Sequence, residues 1–188
     1  MATAPILQPT LWRTCRVLAN HTRLEILDLL AHDRPQPVSV VAARLGLTLP
    51  VASQALRALE ARGLLACRRN GLKVEYRLGA ATNADSRPAL VVPLRAMLQH
   101  DLVSREKIFK LATAFTHPRR IELFQLVHTE PRTLVQLRSF AQMSGRALAR
   151  HLRKLEARGF IICLTGKYSA VEHPEALGRM LAQMAAGQ

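Results

Sequence analysis

The pentapeptide LEARG stands at residues 59–63 and again at residues 155–159. Around it, ALRALEARGLL and HLRKLEARGFI share seven of eleven residues over the windows 55–65 and 151–161. Other features keep the 96-residue offset: Cys67 with Cys163, Leu56 with Leu152, His21 with His117. Upstream the register slips by one, so that RLEILDLL at 23–30 matches RIELFQLV at 120–127. A repeat of this kind constrains the fold more than composition does. It implies two copies of one small unit in place of a single larger domain.

Each copy has the same order of signals. A first helix (11–19; 107–115) leads to a second opened by a capping signal, Asn20-His21-Thr22 in copy one and Thr116-His117-Pro118 in copy two. A short helix (39–45), a GLT turn (46–48) and a longer helix (50–62) follow. In the longer helix Ala52, Leu56 and Leu59 form an i, i+4, i+7 stripe, repeated as Leu148, Leu152 and Leu155. Gly63 and Gly159 supply the left-handed residue that ends a helix, with Arg62 and Arg158 near the negative end of its dipole.

Asn70-Gly71 then signals a β-hairpin between β-prone flanks. Copy two turns at Thr165-Gly166, and its hairpin is shorter: Cys67 precedes Tyr76 by nine residues, Cys163 precedes Tyr168 by five. The polar stretch 79–88 reads as a linker, and a helix starts near Pro93. In a final helix (173–186), Leu177, Leu181 and Met184 either pack against the Pro93 helix as a pseudo-symmetric pair or cover their own unit. The expected organisation is one unit over residues 1–80, a linker and connecting helix over 81–104, and a second unit over 105–188. The class is mainly α with small β-hairpins.

Charge narrows the partner. There are 27 Lys and Arg against 13 Asp and Glu, a formal net charge of +14. Residues 1–95 hold 13 basic and 6 acidic side chains, and residues 96–188 hold 14 and 7, so each half is +7. An even excess fits an extended polyanion touched by both halves, nucleic acid first and an anionic membrane second. No apolar run reaches the roughly 20 residues of a membrane span, and MATAPILQPTLW does not read as a secretion signal. Three cysteines without CxxC spacing argue against a disulfide framework and fit a reducing cytoplasm.

Helix, helix, short helix, turn, longer helix and basic hairpin is the order of a winged helix-turn-helix. The stretch VSVVAARLGLTLPVASQALRALEARGLLACRRNGLKVEYRL (38–78), with LANHTRLEILDLL (18–30) before it, resembles the ArsR-type bacterial repressors. The resemblance covers nearly all of copy one and, more loosely, copy two. Such relatives have a Ser-x-His-Leu core in the recognition helix. Copy one keeps Ser53 and Leu56 of it, and copy two keeps His151 and Leu152. Since these relatives pair as dimers, two units in one chain imply tandem, pseudo-twofold-related winged helices: a single-chain pseudo-dimer, or a chain that dimerises in turn. The implied function is a cytoplasmic, nucleoid-associated transcriptional regulator, a repressor, on double-stranded DNA. The alternative is a tandem winged-helix adaptor that binds a protein in a chromosome or transcription complex.

With the longer helix in a major groove, copy one would offer Ser53, Gln54 and Arg57 to base edges and Thr48 to a phosphate. Copy two would offer Arg146, Arg150, His151, Arg153 and Lys154, a face more basic and less varied, suited to phosphate contact. The first wing would add Arg68, Arg69, Lys73 and Arg77, the second only Lys167. The bland reading of each is a solvated surface charge.

Other chemistry has little support. The resemblance points to metal sensing through a Cys pair in the short helix, which neither copy has, or through Asp/His pairs on the last helix. His100-Asp101 point apart on a helix, and His32-Asp33 have no obvious partner. Cys67 and Cys163 read as small buried fillers, and His21 and His117 as helix-start residues. There is no phosphate loop, GxSxG or HExxH, so no enzyme, cofactor or metal is expected.

Overall fold

A computed structural model of the chain describes residues 10–32, 34–70, 73–79, 90–100 and 104–187. Its first run of elements is α1 (Leu11–Leu18), α2 (His21–His32), β1 (Gln36–Pro37), α3 (Val38–Arg44), α4 (Leu49–Glu60), β2 (Leu65–Asn70) and β3 (Lys73–Leu78). After α5 (Val91–His100) the order returns as α6 (Ser104–Ala114), α7 (Pro118–Thr129), β4 (Arg132–Thr133), α8 (Leu134–Ala141), α9 (Gly145–Glu156), β5 (Ile161–Leu164) and β6 (Lys167–Ala170). Helix α10 (Ala176–Ala186) closes the chain. The mainly helical class with small antiparallel sheets is as expected, with helix ends displaced by one to three residues. The proposed linker falls, apart from Gly79, outside the described residues.

The sheets repeat in strand order and in register. Their orders are β1-β3-β2 and β4-β6-β5. Gln36 lies opposite Tyr76 as Arg132 lies opposite Tyr168, and Cys67 opposite Tyr76 as Cys163 opposite Tyr168. The shorter second hairpin therefore loses residues at its tip, and the base of the sheet is unchanged.

LEARG explains itself as a helix stop. In copy one the Leu64 N–H donates to Leu59 O at 3.1 Å and the Gly63 N–H to Glu60 O at 2.8 Å. In copy two Phe160 donates to Leu155 O at 3.1 Å and Gly159 to Glu156 O at 2.9 Å. Gly63 and Gly159 have φ of 67° and 74°. This is the Schellman arrangement, in which a left-handed residue lets the last carbonyls find donors. Leu59, Leu64, Leu155 and Phe160 are buried beneath it, each burial contributing roughly 1.5–3 kcal/mol.

The slip in register has a local cause. The side chain of Asn20 accepts from the Arg23 N–H at 3.0 Å, and Nδ1 of His117 accepts from the Arg119 N–H at 3.1 Å. Asn20, not His21, is therefore the counterpart of His117. The loop between α2 and β1 is one residue longer than that between α7 and β4, which restores the offset of 96.

One core of buried side chains runs through both halves. Helix α1 packs on α6, α5 on α2 and α10 on α7, while α5 and α10 also touch each other. The final helix thus meets both expectations: it covers its own half and reaches the Pro93 helix. Across the halves, His21 stacks on Phe109 with ring centroids 4.3 Å apart, and Arg105 Nε lies 3.4 Å from Asp28 Oδ2. No single described helix is long and apolar enough to cross a membrane.

Candidate nucleic-acid interface

The helix-turn-helix of the first half is α3, a turn at Gly46 (φ 63°), and α4. Thr48 is the N-cap of α4 and Pro50 lies in its first turn, where a missing N–H costs nothing. Ala52, Ala55, Leu56 and Leu59 are buried, which turns Gln54 and Arg57 directly outward and leaves Ser53 half-buried at the edge of that face. Thr48 is exposed and makes no side-chain capping bond, so its hydroxyl is available to a ligand.

Helix α9 has the same geometry. Its buried stripe is Leu148, His151, Leu152 and Leu155, and Arg146, Arg150 and Arg153 project from the opposite side, all exposed. Lys154 lies to one flank, half-buried. Burial lowers its proton affinity first, followed by repulsion from Arg158 and Arg120.

His151 departs from the expected interface. It occupies the place of Ala55 on the buried stripe, is 6% exposed, and its ring centroid lies 5.0 Å from that of His117. Its Nδ1 is buried without a hydrogen-bond partner among the described residues. Burial, then His117 and arginines 120, 150 and 119, lower its pKa to about 4, so it is a neutral core residue. Its alignment with Ala55 was the available signal, and half a recognition-helix pattern obscured it.

Sequence reasoning also missed what surrounds this pair. The pKa of His117 is lowered by burial and then by Arg120, Arg150, Arg119 and Arg16, the last on α1 of the other half. Arg120 turns inward, donating to Ala114 O and to the Thr116 hydroxyl. Arg119 is held 2.8 Å from Glu122.

The first wing divides. Arg68 and Arg69 are exposed on β2, opposite Glu75 and Val74. The Arg77 guanidinium lies at the hairpin base, where a Cβ on Gly79 would be 3.8 Å from its Nη1 and 3.9 Å from Arg95 Nη2. Lys73 opens β3, with its side chain outside the described residues. Lys167 is exposed on the second wing.

Two further expectations are corrected. Cys67 is exposed and Cys163 half-buried, so neither is a fully buried filler. A hydrogen bond with Glu60, then burial, raises the pKa of Cys67. His32 does have partners: Nε2 lies 3.0 Å from Leu98 O and 3.5 Å from Asp28 Oδ1. Asp33, Asp101 and the His100 side chain lie outside the described residues. Among the described residues no group of three or more His, Cys, Asp or Glu is placed to hold a metal.

Two helices joined by a left-handed turn, followed by a three-stranded wing with exposed arginines, define a winged helix-turn-helix in the first half of the chain. Comparison with known proteins agrees. The family profile described as "Helix-turn-helix domain" matches residues 18–68. HTH-type transcriptional regulator Rv0324 of Mycobacterium tuberculosis is 42% identical over 66 residues, 35% of this chain and 29% of that protein. The chain thus spans less than a third of that relative.

Two solved structures of a 1–100 fragment of Mycobacterium bovis are each 38% identical over 46% of this chain. The solution structure, of the homodimeric winged helix-turn-helix DNA-binding domain of Mb0332, a possible ArsR-family transcriptional regulator, is covered to 72% with a TM-score of 0.38. The crystal structure, of a possible transcriptional regulatory protein, is covered to 84% with a TM-score of 0.37. Human N-acetylserotonin methyltransferase bound to SAM aligns over 79% of this chain and 44% of its own, at 20% identity and a TM-score of 0.33, too loosely to carry an argument. Through its first half the chain belongs to the winged helix-turn-helix family.

Proposed function

We propose that the chain is a DNA-binding transcriptional regulator, a cytoplasmic repressor. Residues 1–80 and 105–188 act as two winged helix-turn-helix units, joined through residues 81–104 into a single-chain pseudo-dimer on duplex DNA. The observation that carries this reading is the outward face of the two long helices, Gln54 and Arg57 on α4 and Arg146, Arg150 and Arg153 on α9. The repeated sheet register and the packing of α1 on α6 and α5 on α10 support the tandem arrangement. Gln pairs with adenine and Arg with guanine through two bonds each, so α4 can read bases. Three guanidiniums and no amide suit α9 to phosphates.

Selection of bound sites from a random duplex pool, with binding then measured against salt, tests the proposal. Gln54→Ala and Arg57→Ala relax base preference. The triple Arg146→Ala, Arg150→Ala, Arg153→Ala weakens binding uniformly and lowers the salt slope by about 2–3, near 0.9 per lost phosphate contact. No sequence enrichment and a flat salt dependence would sink the reading.

One observation favours an adaptor role for the second half. Where the first half has Ser39, Arg44 and Arg68, the second exposes Val135 (79%), Phe140 (57%) and Leu164 (59%). Binding that needs only residues 1–80 would support this second reading.

A further inference from the structure

Helices α5 and α10 share an Arg-x-x-x-Gln pattern, residues 95–99 and 179–183, and each packs on the second helix of its own half. In the first half that joint is closed. Leu94 and Leu98 are buried in it, Arg95 Nη2 donates to Leu78 O at 2.6 Å, and Gln99 Nε2 donates to Ala31 O at 2.8 Å.

In α10 the buried face is Leu177, Gly178, Leu181 and Ala185, and Ala182 stands half-buried beside it. His173 packs directly on Gly178, where a Cβ would lie 2.2 Å from its Nδ1. Beside it a cleft of about 370 Å³ opens between α7, the end of β6 and α10. That is within the ~300–1,000 Å³ of small-molecule sites.

The lining is not that of a dry packing void. Phe124, Val171 and Ala182 give it an apolar floor, while Glu172 and Arg179 bring opposite charges to it. Arg179 commits Nη1 to the carbonyls of His173 and Pro174, leaving Nε and Nη2 without a described partner. Glu172 is exposed and is ion-paired with no described residue. A guanidinium, a carboxylate and an apolar floor match a small zwitterion with an apolar side chain.

His173 borders the same cleft and touches the end of α9. Its ring centroid is 5.0 Å from that of Phe160, and its Nε2 lies 3.5 Å from where a Cβ on Gly159 would stand. We propose that the cleft is an effector site for a free apolar α-amino acid. Arg179 holds the carboxylate, Glu172 the ammonium, and occupancy is passed through His173 to the C-terminal turn of α9. The effector role rests on the DNA-binding reading; the binding itself does not.

Calorimetric titration of the full, DNA-free chain with L-leucine and L-phenylalanine tests it, alongside their amines and deaminated acids as single-charge controls. Binding of either amino acid, with each control at least tenfold weaker, is expected. Ala182→Leu, which fills the cleft from its α10 side, should abolish binding. Glu172→Gln, at the surface, should weaken it at least tenfold with an unchanged circular dichroism spectrum, and carries the test where Ala182→Leu fails to fold. No binding at millimolar concentration, or equal binding by Glu172→Gln, overturns the site. A ligand that binds yet shifts affinity for the selected duplex less than about twofold overturns the effector role alone. A chain that binds amino acid but no DNA overturns the DNA reading alone.

Discussion

His151→Ala tests the assignment of this imidazole to the core, because Ala55 already occupies the matching buried place in α4. An imidazole held neutral by folding binds its proton more tightly in the unfolded chain, so acid favours unfolding. The stability that depends on the neutral ring is complete above the ordinary value of 6.5 and is lost as pH falls towards the folded value of about 4. Between pH 7.5 and pH 5 the loss is about 2 kcal/mol, at ~1.36 kcal/mol per unit over roughly 1.5 units. For a chain of this size that is a fall in Tm of about 4–8 °C. Urea unfolding followed by circular dichroism at the two pH values should show the wild type losing about 2 kcal/mol more than the variant. His117, whose pKa is also lowered, is present in both chains. Curves that fall in parallel, within about 0.5 kcal/mol, would refute the assignment. A groove-facing imidazole predicts that parallel fall, together with tighter DNA binding in acid.

Gly46 and Gln142 hold the same left-handed position between the short and long helices, with φ of 63° and 46°. Gln142→Gly should therefore raise stability by about 0.5–1 kcal/mol and Gly46→Gln lower it by about 1 kcal/mol, read from chemical denaturation; changes of like sign would show that side-chain contacts dominate. Thiol labelling of the native chain should proceed in the order Cys67, Cys163, Cys15, since the first is exposed, the second half-buried, and the third buried with its pKa raised by burial. Early loss of Cys15 would mean that α1 detaches from α6.

Much of this was legible because the decisive signals are local. The stripe of Leu56 and Leu59, the glycine that follows, and Asn70-Gly71 between β-prone flanks each specify an element within a few residues, and the repeat gives each a second reading. What was not legible depends on pairs distant in sequence. His151 looks surface-bound among Arg150, Arg153 and Lys154 until it is aligned with Ala55, and its neighbour His117 is 34 positions away. Cys67 is exposed while Cys163, in the same register of the second sheet, is half-buried, a difference that the repeat does not encode. The cleft beside Ala182 is lined from α7, the end of β6 and α10, segments that only the fold brings together.

The differences between the halves follow a physical rule. Most buried places agree in character, as Leu56 and Leu152, Leu59 and Leu155, and Leu64 and Phe160 do, with Ala55 and His151 an exception. Outward places have changed: Pro50 to Arg146, Gln54 to Arg150, Ser39 to Val135, Arg68 to Leu164. A core at close-packed density penalises most volume changes, while a surface residue is nearly free to vary. A symmetric homodimer must present one surface twice, so neither face can specialise without altering the other. On the proposed reading, two units in one chain are free of that constraint. Under the proposed function the consequence is an unequal site, read base by base beneath α4 and held by its backbone beneath α9. A selected sequence with two equally informative, inverted half-sites would be the wrong shape for this molecule.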